Sequence, residues 1–496
     1  MRWLVLPLGA LAGFAALMAC GDSSDPNNPS NTDGGSLLSN DAGDPGTGGD
    51  PDAGNSGGGN GSDAGGNANG GDAGGTPNVD AGPAPMNCVG TSPYTAWTSD
   101  PKLCVYVFAT GLDKPRQMAF APNGDLFVNT GGQNQQDGTS QSDGPITVMW
   151  DANKDGTIAA SEQATFASAL GLYHGLAFSP DAKFLYASSG TTVYRWPYTT
   201  GAHAATAGAE VVVKNLPPRL DHITRTLAFD STGRLYVSAG SSTNLELDSN
   251  LTTRASIRRY TIPATVPSGG LDYLNDGVVV ASGMRNEVGV FIDAQDHIWG
   301  VENGRDDLVD NAHGGNIHND NPGEEINFVD GQGSSFYGYP SCYSEYKFAA
   351  DAGGKGPGTQ WHDPQATGTY LKDDPWCQNT ANVHPPVGVM QAHWAPLGVV
   401  QYTGNSLPFS GDLLIAAHGS WDRSPAVGRL IVRAHLQNGA VTSVAPIVGE
   451  SGGANGGPKE GAWDARPVDV RQGPDQAIYF SDDQSGRIFK IGYKTP

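Results

Sequence analysis

The 496-residue sequence predicts an all-β protein, a six-bladed β-propeller with long loops over one face, preceded by a disordered linker. Three observations carry this. One strand–turn–strand phrase recurs six times, its apolar runs alternate with a period of two, and no helical pattern exceeds about two turns. Repeats of this size cannot each bury both of their faces, so they must stack on one another around an axis.

Charge narrows the possible partners. There are 28 Lys+Arg against 51 Asp+Glu, a net charge of -23, yet only 16% of residues are charged, so the acidity reflects scarce bases. A phosphate backbone repels such a chain, which argues against nucleic acid as a partner. The 70 glycines and the 38% hydrophobic content depart from ordinary composition. The departure is local.

Residues 1–20 read as a lipoprotein-type export signal. Met1-Arg2-Trp3 is a basic start, Leu4 to Ala19 is apolar but too short to span a bilayer comfortably, and Leu17-Met18-Ala19-Cys20 resembles a lipobox with Cys20 as the acylated residue. Residues 21–86 read as a disordered Gly/Asp/Asn-rich linker. Asp-Ala-Gly recurs from Asp41, Asp52, Asp63, Asp72 and Asp80, and the segment holds ten Asp and no Lys or Arg. It has nothing to bury against its ordering entropy. A flexible chain of about 66 residues spans roughly 40–50 Å root-mean-square. The expectation is an exported body tethered to the bacterial cell envelope by lipid alone, periplasmic or at the surface.

With Cys20 set aside for lipid, Cys88, Cys104, Cys342 and Cys377 remain, which suits two disulfides in an oxidising compartment. Three pairings are possible, and neighbour pairing closes the shortest loops. There is no CxxCH, so the chain carries no c-type haem domain of its own.

The body, residues 87–496, holds the repeats. They run Arg116–Val128, Gly175–Ala187, Thr226–Val237, Val288–Trp299, a looser copy from Pro396 through Leu414-Ile415, and Pro467–Phe480. Each places a polar Gly/Pro/Asn/Asp turn between two apolar runs. The long gap between the fourth and fifth units, from about Glu302 to His393, reads as loops built over one end of the channel. After the first unit, Asp151, Asn153, Asp155, Thr157 and Glu162 stand at ligand positions 1, 3, 5, 7 and 12 of a calcium loop with Gly156 at position 6. The preceding Ile146–Trp150 reads as a strand, so this is an isolated loop and not a helix–loop–helix switch.

Several phrases flank the repeats: Asp221-His222, Gly283-Met-Arg285-Asn286, Glu302-Asn-Gly304-Arg305, Pro322-Gly-Glu324-Glu325-Ile-Asn327, Tyr337-Gly-Tyr-Pro340, Ala417-His418-Gly-Ser-Trp421-Asp-Arg423 and Ala465-Arg466-Pro467-Val468-Asp469-Val470. All lie where loops enter or leave strands. In this order they resemble the soluble pyrroloquinoline-quinone (PQQ) sugar dehydrogenases, closer to the L-sorbosone and pyranose dehydrogenase branch than to soluble glucose dehydrogenase, over roughly residues 105–495.

That resemblance implies a propeller with PQQ over its mouth and a calcium ion beneath the quinone. It makes His222 the general base for a sugar hydroxyl, an ordinary task for an imidazole near neutral pH. It makes Arg285 the donor to the quinone oxygen and Asn286 its cofactor-side neighbour. The carbonyls of Gly304 and Arg305 become calcium ligands, and Arg466 pairs with the tricarboxylate cofactor. The substrate class is an aldose, a pyranose or a sorbosone-like aldehyde, and electrons pass to an external acceptor, a quinone or a cytochrome.

This sequence departs from the family pattern. Where glucose dehydrogenases orient the base with a carboxylate, it has Ser241. His418 replaces the cofactor lysine, with Arg423 as a charge substitute. The second cofactor arginine falls at Val468, for which Arg116 compensates. Tyr173-His174 stands near the position of glucose dehydrogenase's substrate glutamine. Ser241 and Val468 sustain the alternative, a non-redox propeller binding glycans or proteins through a decayed site. Glu324 and Glu325 read as braces, His418 and Trp421 read equally well as blade packing, and His313–Asn321 lacks transition-metal spacing and reads as a loop.

Overall fold

The computed structural model describes Cys88 and residues 93–130, 143–218, 222–331 and 334–494. The expected export signal with Cys20 and the expected linker lie outside the described residues.

Among the described residues six sheets of four or five strands form the body, with two small two-stranded sheets in the loops, and every recurring phrase of the sequence is the inner hairpin of one of the six. Blade one consists of Met118–Phe120, Leu126–Asn129, Asp143–Met149 and Gln163–Leu170. Blade two begins with Leu172–Phe178 and Phe184–Ser189, and blade three with Leu227–Phe229 and Arg234–Ala239. Blade four begins with Glu287–Ile292 and Ile298–Glu302, blade five with Pro396–Gln401 and Leu413–Ala417, and blade six with Pro467–Gln472 and Ile478–Asp482. The turns between these strands are built by their own side chains. Asp230 Oδ1 accepts the amides of Thr232 and Arg234, and Asp293 Oδ1 accepts those of Gln295 and His297, so the acid at the turn entrance replaces backbone partners.

The ring closes through strands that the repeat count did not contain. Leu103–Ala109 pairs antiparallel with the C-terminal strand Arg487–Tyr493, so blade six is assembled from both ends of the body. Trp97–Thr98 adds to the outer edge of blade five beside Ala440–Gly449. Inner strands of neighbouring blades contact one another in chain order, and Pro467–Gln472 returns to Met118–Phe120. Between blades five and six, Phe480 and Phe489 are fully buried and stack at 4.7 Å, with Trp463 against both. Each such ring contributes roughly 1.5–3 kcal/mol by burial.

The disulfides are Cys88–Cys104 and Cys342–Cys377, the neighbour pairing. Helix is confined, among the described residues, to Asp374–Cys377 and a few 3₁₀ turns. No described helix is long and apolar enough to cross a membrane.

The 302–393 segment supplies the third and fourth strands of blade four, Glu324–Val329 and Gly388–Met390. The rest is loop that reaches the mouth. Ser335–Phe336 runs along the edge strand Val278–Ser282 of blade three, and Tyr339 then meets the loop after blade three's second strand, where its hydroxyl accepts the Glu246 amide at 2.7 Å.

Because the first two strands of each blade are antiparallel, the start of every first strand and the end of every second strand share one rim. Pro396 pairs with Ala417, Pro467 with Asp482 and Glu287 with Glu302. That register places Arg116, His174, His222, Arg285, His418 and Arg466 at the same mouth.

Candidate functional site

His222 is buried, 4% exposed, just before the inner strand of blade three. Its Nδ1 lies 2.7 Å from the Ser241 carbonyl and 3.1 Å from Ser241 Oγ, which itself donates to the Thr243 carbonyl. A carbonyl only accepts, so Nδ1 carries the proton and Nε2 presents a lone pair. That Nε2 is buried and has no hydrogen-bond partner among the described residues. Burial, and then the Arg285 charge, hold the imidazole well below its usual pKa, so it is neutral at pH 7. At Ser241, where the family pattern has a carboxylate, the backbone carbonyl is the group that orients the imidazole. Arg225, fully buried, donates to the carbonyls of His222, Thr224 and Pro217.

Gly240 sets the spacing of the pocket. A Cβ there would lie 2.6 Å from Asn286 Oδ1 and 2.7 Å from His222 Cβ, so absence of a side chain is what lets these two groups approach. Asn286 Oδ1 is likewise buried without a partner among the described residues.

Arg285 is the hub of the next cluster. Its guanidinium donates to the carbonyls of Asn244, Asn303 and Gly304, to Asn244 Oδ1 and to Asp306 Oδ2, with the Gly304 contact at 2.7 Å and the Asp306 contact at 2.9 Å. Its own amide donates to Glu302 Oε1 at 2.5 Å. The Gly304 carbonyl, an expected calcium ligand, thus holds a guanidinium N–H. Arg305, the other expected ligand, sends its side chain to Asp363 at 2.7 Å. Glu324 braces this turn: Oε2 accepts the Gly304 amide and Oε1 the Ala395 amide, while burial raises its carboxyl to about 7. Glu325 is a brace too, accepting from Ser344 Oγ and Gln360 Nε2.

A third group spans blades five, six and one. His418 Nε2 donates to Asp483 Oδ1 at 3.0 Å, and His418 Nδ1 accepts from Arg466 Nη2 at 3.2 Å. Arg116 Nη1 pairs with the other Asp483 oxygen at 2.6 Å and its guanidinium lies 5.1 Å from the Tyr173 ring centroid. Burial and the Arg466 charge lower His418 to about 4, so the imidazole is neutral. Burial opposes ionisation of Asp483, but His418, Arg116 and Arg466 together hold it well below the usual carboxylate range. Two guanidinium groups around one carboxylate leave the cluster with one net positive charge, and Nε of both Arg116 and Arg466 is buried without a partner among the described residues. His174 stands beside them, 2% exposed, its Nδ1 also unpartnered. Asp483, Arg225 and Asn244 were missed by motif reading. Asp483 had a signal: superposing the repeats puts it one residue past the end of a second strand, as His418 is.

Other expectations fall differently. Arg423 is not in the His418 cluster; its guanidinium is held by Asp320 at 3.1 Å and the Ala392 carbonyl at 3.2 Å. Trp421 is not blade packing but 50% exposed on the rim loop of blade five. Val468 is fully buried in the apolar wall with Val288 and Leu397 and offers no polar contact. The Asp151–Glu162 loop joins the third and fourth strands of blade one, away from the mouth. Gly156 there has φ +80°, Asp151 accepts the amides of Asp155 and Gly156, and Glu162 accepts those of Ala152 and Ala159. A separate cleft of about 510 Å³, lined by Arg234, Tyr236, Arg259 and His297, lies at the opposite rim among the turns of blades three and four.

Comparison with known proteins gives a concordant result. The family model described as TrAA12-like matches residues 98–494. A pyrroloquinoline quinone-dependent sugar dehydrogenase of Hypocrea jecorina (strain QM6a) is 33% identical over 332 residues, covering 64% of this chain and 71% of that protein. A pyrroloquinoline quinone-dependent pyranose dehydrogenase of Coprinopsis cinerea is 28% identical over 410 residues, or 77% of this chain but only 52% of its own length. Among solved structures, the calcium structure of the Trichoderma reesei family AA12 enzyme superposes with a TM-score of 0.68 at 28% identity, covering 82% of this chain and 99% of that one. The holo form of the Coprinopsis cinerea pyranose dehydrogenase PQQ domain gives 0.68 at 25% identity, covering 80% and 97%.

Proposed function

Because the chain belongs to the TrAA12-like family, we propose that it is a PQQ-dependent sugar dehydrogenase working at the propeller mouth described above. The observation that carries the reading is His222: a buried neutral imidazole with Nδ1–H pinned to a carbonyl and an unpartnered Nε2 beside Arg285 and Asn286.

The donor set fits the cofactor class. PQQ bears three carboxylates, and the Arg116–His418–Arg466 group offers net positive charge and two buried guanidinium N–H groups without acceptors. Asn286 Oδ1 is a further unpartnered polar atom on the base side. The chemistry supplied by the bound quinone is a two-electron sink for hydride. The chain's own part is to hold the sugar so that His222 Nε2 can take the proton of the hydroxyl whose carbon gives up the hydride. Loss of one proton and one hydride turns a hemiacetal into a lactone. Ser241 keeps the imidazole in the required tautomer, Arg225 keeps its loop in place, and Arg285 supplies positive charge where negative charge develops. The proton passes from His222 to solvent and the electrons to an external quinone or cytochrome.

Calcium belongs to this reading at two places. At Gly304 and Arg305 a cation would take over the carbonyl that Arg285 Nη1 now holds, so binding there frees one guanidinium N–H. At Asp151, Asn153, Asp155, Thr157 and Glu162 the supporting feature is a loop already bent by Gly156, with its acid side chains turned inward onto backbone amides. Export and attachment through Cys20 also belong to the proposal, supported by two disulfides in the body; a lipid-bearing N-terminal cysteine in mass spectra checks it.

Calorimetric titration of the full chain with PQQ, with and without a calcium chelator, tests the central claim. One equivalent bound only with calcium, followed by dye reduction on adding an aldose or pyranose, is expected. No PQQ binding by a folded chain overturns it and leaves a non-redox propeller.

A further inference from the structure

We propose that His318, His393 and Asp422 form a binding site for a divalent transition-metal ion of the zinc class, separate from the calcium positions and independent of the dehydrogenase reading. The three come from different segments of the rim. His318 lies in the excursion between the second and third strands of blade four, His393 in the connection from blade four to blade five, and Asp422 in the loop after blade five's second strand.

Their ligand atoms all lie within 4.8 Å of one another. His318 Nδ1 and Asp422 Oδ2 are 3.2 Å apart. Donors about 2.0–2.1 Å from a tetrahedral zinc are separated by ~3.3 Å, so this edge needs no rearrangement. His393 is oriented as a ligating histidine usually is. Its Nε2 lies 2.5 Å from the His318 carbonyl, which can only accept, so Nε2 carries the proton and Nδ1 presents its lone pair. Nδ1 faces Asp306 Oδ1 at 3.8 Å, too far for a hydrogen bond. The ring is 7% exposed, and His393 holds φ +65°, a left-handed conformation uncommon for a residue with a side chain. Asp422 Oδ2 is steadied by the Asp307 amide at 3.0 Å.

The donor chemistry selects the metal. Two imidazoles and one carboxylate suit zinc, copper or cobalt; calcium and magnesium prefer an all-oxygen set. Three protein ligands leave a fourth position for water or for Asp306 Oδ1. Asp306 also receives Arg285 Nη2 at 2.9 Å, so an ion here sits one carboxylate away from the Arg285 hub. It ties together three loops that converge on the rim.

The test uses the full chain freed of metal by chelation, without quinone or sugar, so its outcome is separate from that of the dehydrogenase proposal. Titration with Co²⁺ is expected to give one saturable equivalent with the visible ligand-field bands of four-coordinate cobalt, displaced by Zn²⁺ but not by excess Ca²⁺. His318→Gln, His393→Gln and Asp422→Asn should each weaken binding about tenfold or more, whereas Asp320→Asn, whose side chain pairs with Arg423, should not. Circular dichroism shows whether each variant is folded, and any two folded ligand variants suffice. Absence of a saturable equivalent in the parent chain, or binding unchanged in the folded ligand variants, overturns the proposal.

Discussion

His418 and Asp483 face each other at 3.0 Å across the seam between blades five and six, each one residue past the end of a second strand. The register of two separate hairpins makes this contact, and it fixes the protonation of both partners. The imidazole is neutral, donating to the carboxylate and accepting from Arg466; the carboxylate is ionised and shared with Arg116.

Acid should therefore destabilise the chain in a defined window. His418 titrates near 6.5 when unfolded and at about 4 when folded. The unfolded state binds its proton first, so stability falls as pH drops from about 6.5 to about 4, by on the order of 3 kcal/mol at full effect. Asp483, held below its usual range, adds a loss at still lower pH. Denaturant unfolding of the cofactor-free chain across this range measures it, and His418→Asn should flatten the upper part of the limb.

Replacing His222 by Gln should lower kcat/KM by about 10²–10⁴ while PQQ affinity changes little, because Nε2 meets the substrate proton and not the cofactor carboxylates. Since the imidazole's pKa lies below its usual value, the acid limb of kcat/KM in the parent enzyme should fall below pH 6.5. A limb at or above 6.5 contradicts the described environment of the base.

Arg466→Ala removes a guanidinium whose Nε has no protein acceptor. PQQ binding should weaken by about 10–100-fold, the range for a charge-assisted hydrogen bond of roughly 1.5–3 kcal/mol. Titration at saturating calcium reads this directly. Turnover at saturating PQQ should be far less affected.

Gly240→Ala tests the spacing of the pocket. The added methyl meets Asn286 Oδ1 and His222 Cβ inside 3 Å, so the base and Asn286 must separate. A folded variant with kcat lowered by tenfold or more is expected, since misplacement by about 1 Å costs on this scale. Unchanged kcat would show that the two side chains need no close approach.

The blades were legible because a hairpin is a local object. Alternation, an acid or glycine at the turn and a small-residue break lie within about fifteen residues, and every such phrase became an inner hairpin. Strands that close the ring were not legible: Leu103–Ala109 finds its partner in Arg487–Tyr493, and nothing within either segment names the other. His222, Arg285 and Arg466 stand in phrases legible in the sequence, and the fold places all three at one mouth. Arg423 was misplaced, because a short run of sequence shows a charge but not the direction in which a loop turns it.

The order of residues alone settled the number of blades and which short phrases border the mouth, and it favoured the neighbour disulfide pairing, since each depends on near neighbours along the chain. Tertiary structure alone decided that the Ser241 carbonyl holds His222 Nδ1, that Asp483 joins His418 to Arg116, and that His318, His393 and Asp422 converge. Those facts depend on how loops fold back and on closing a ring, which bring together groups from 19 to 367 residues apart at distances no local pattern encodes.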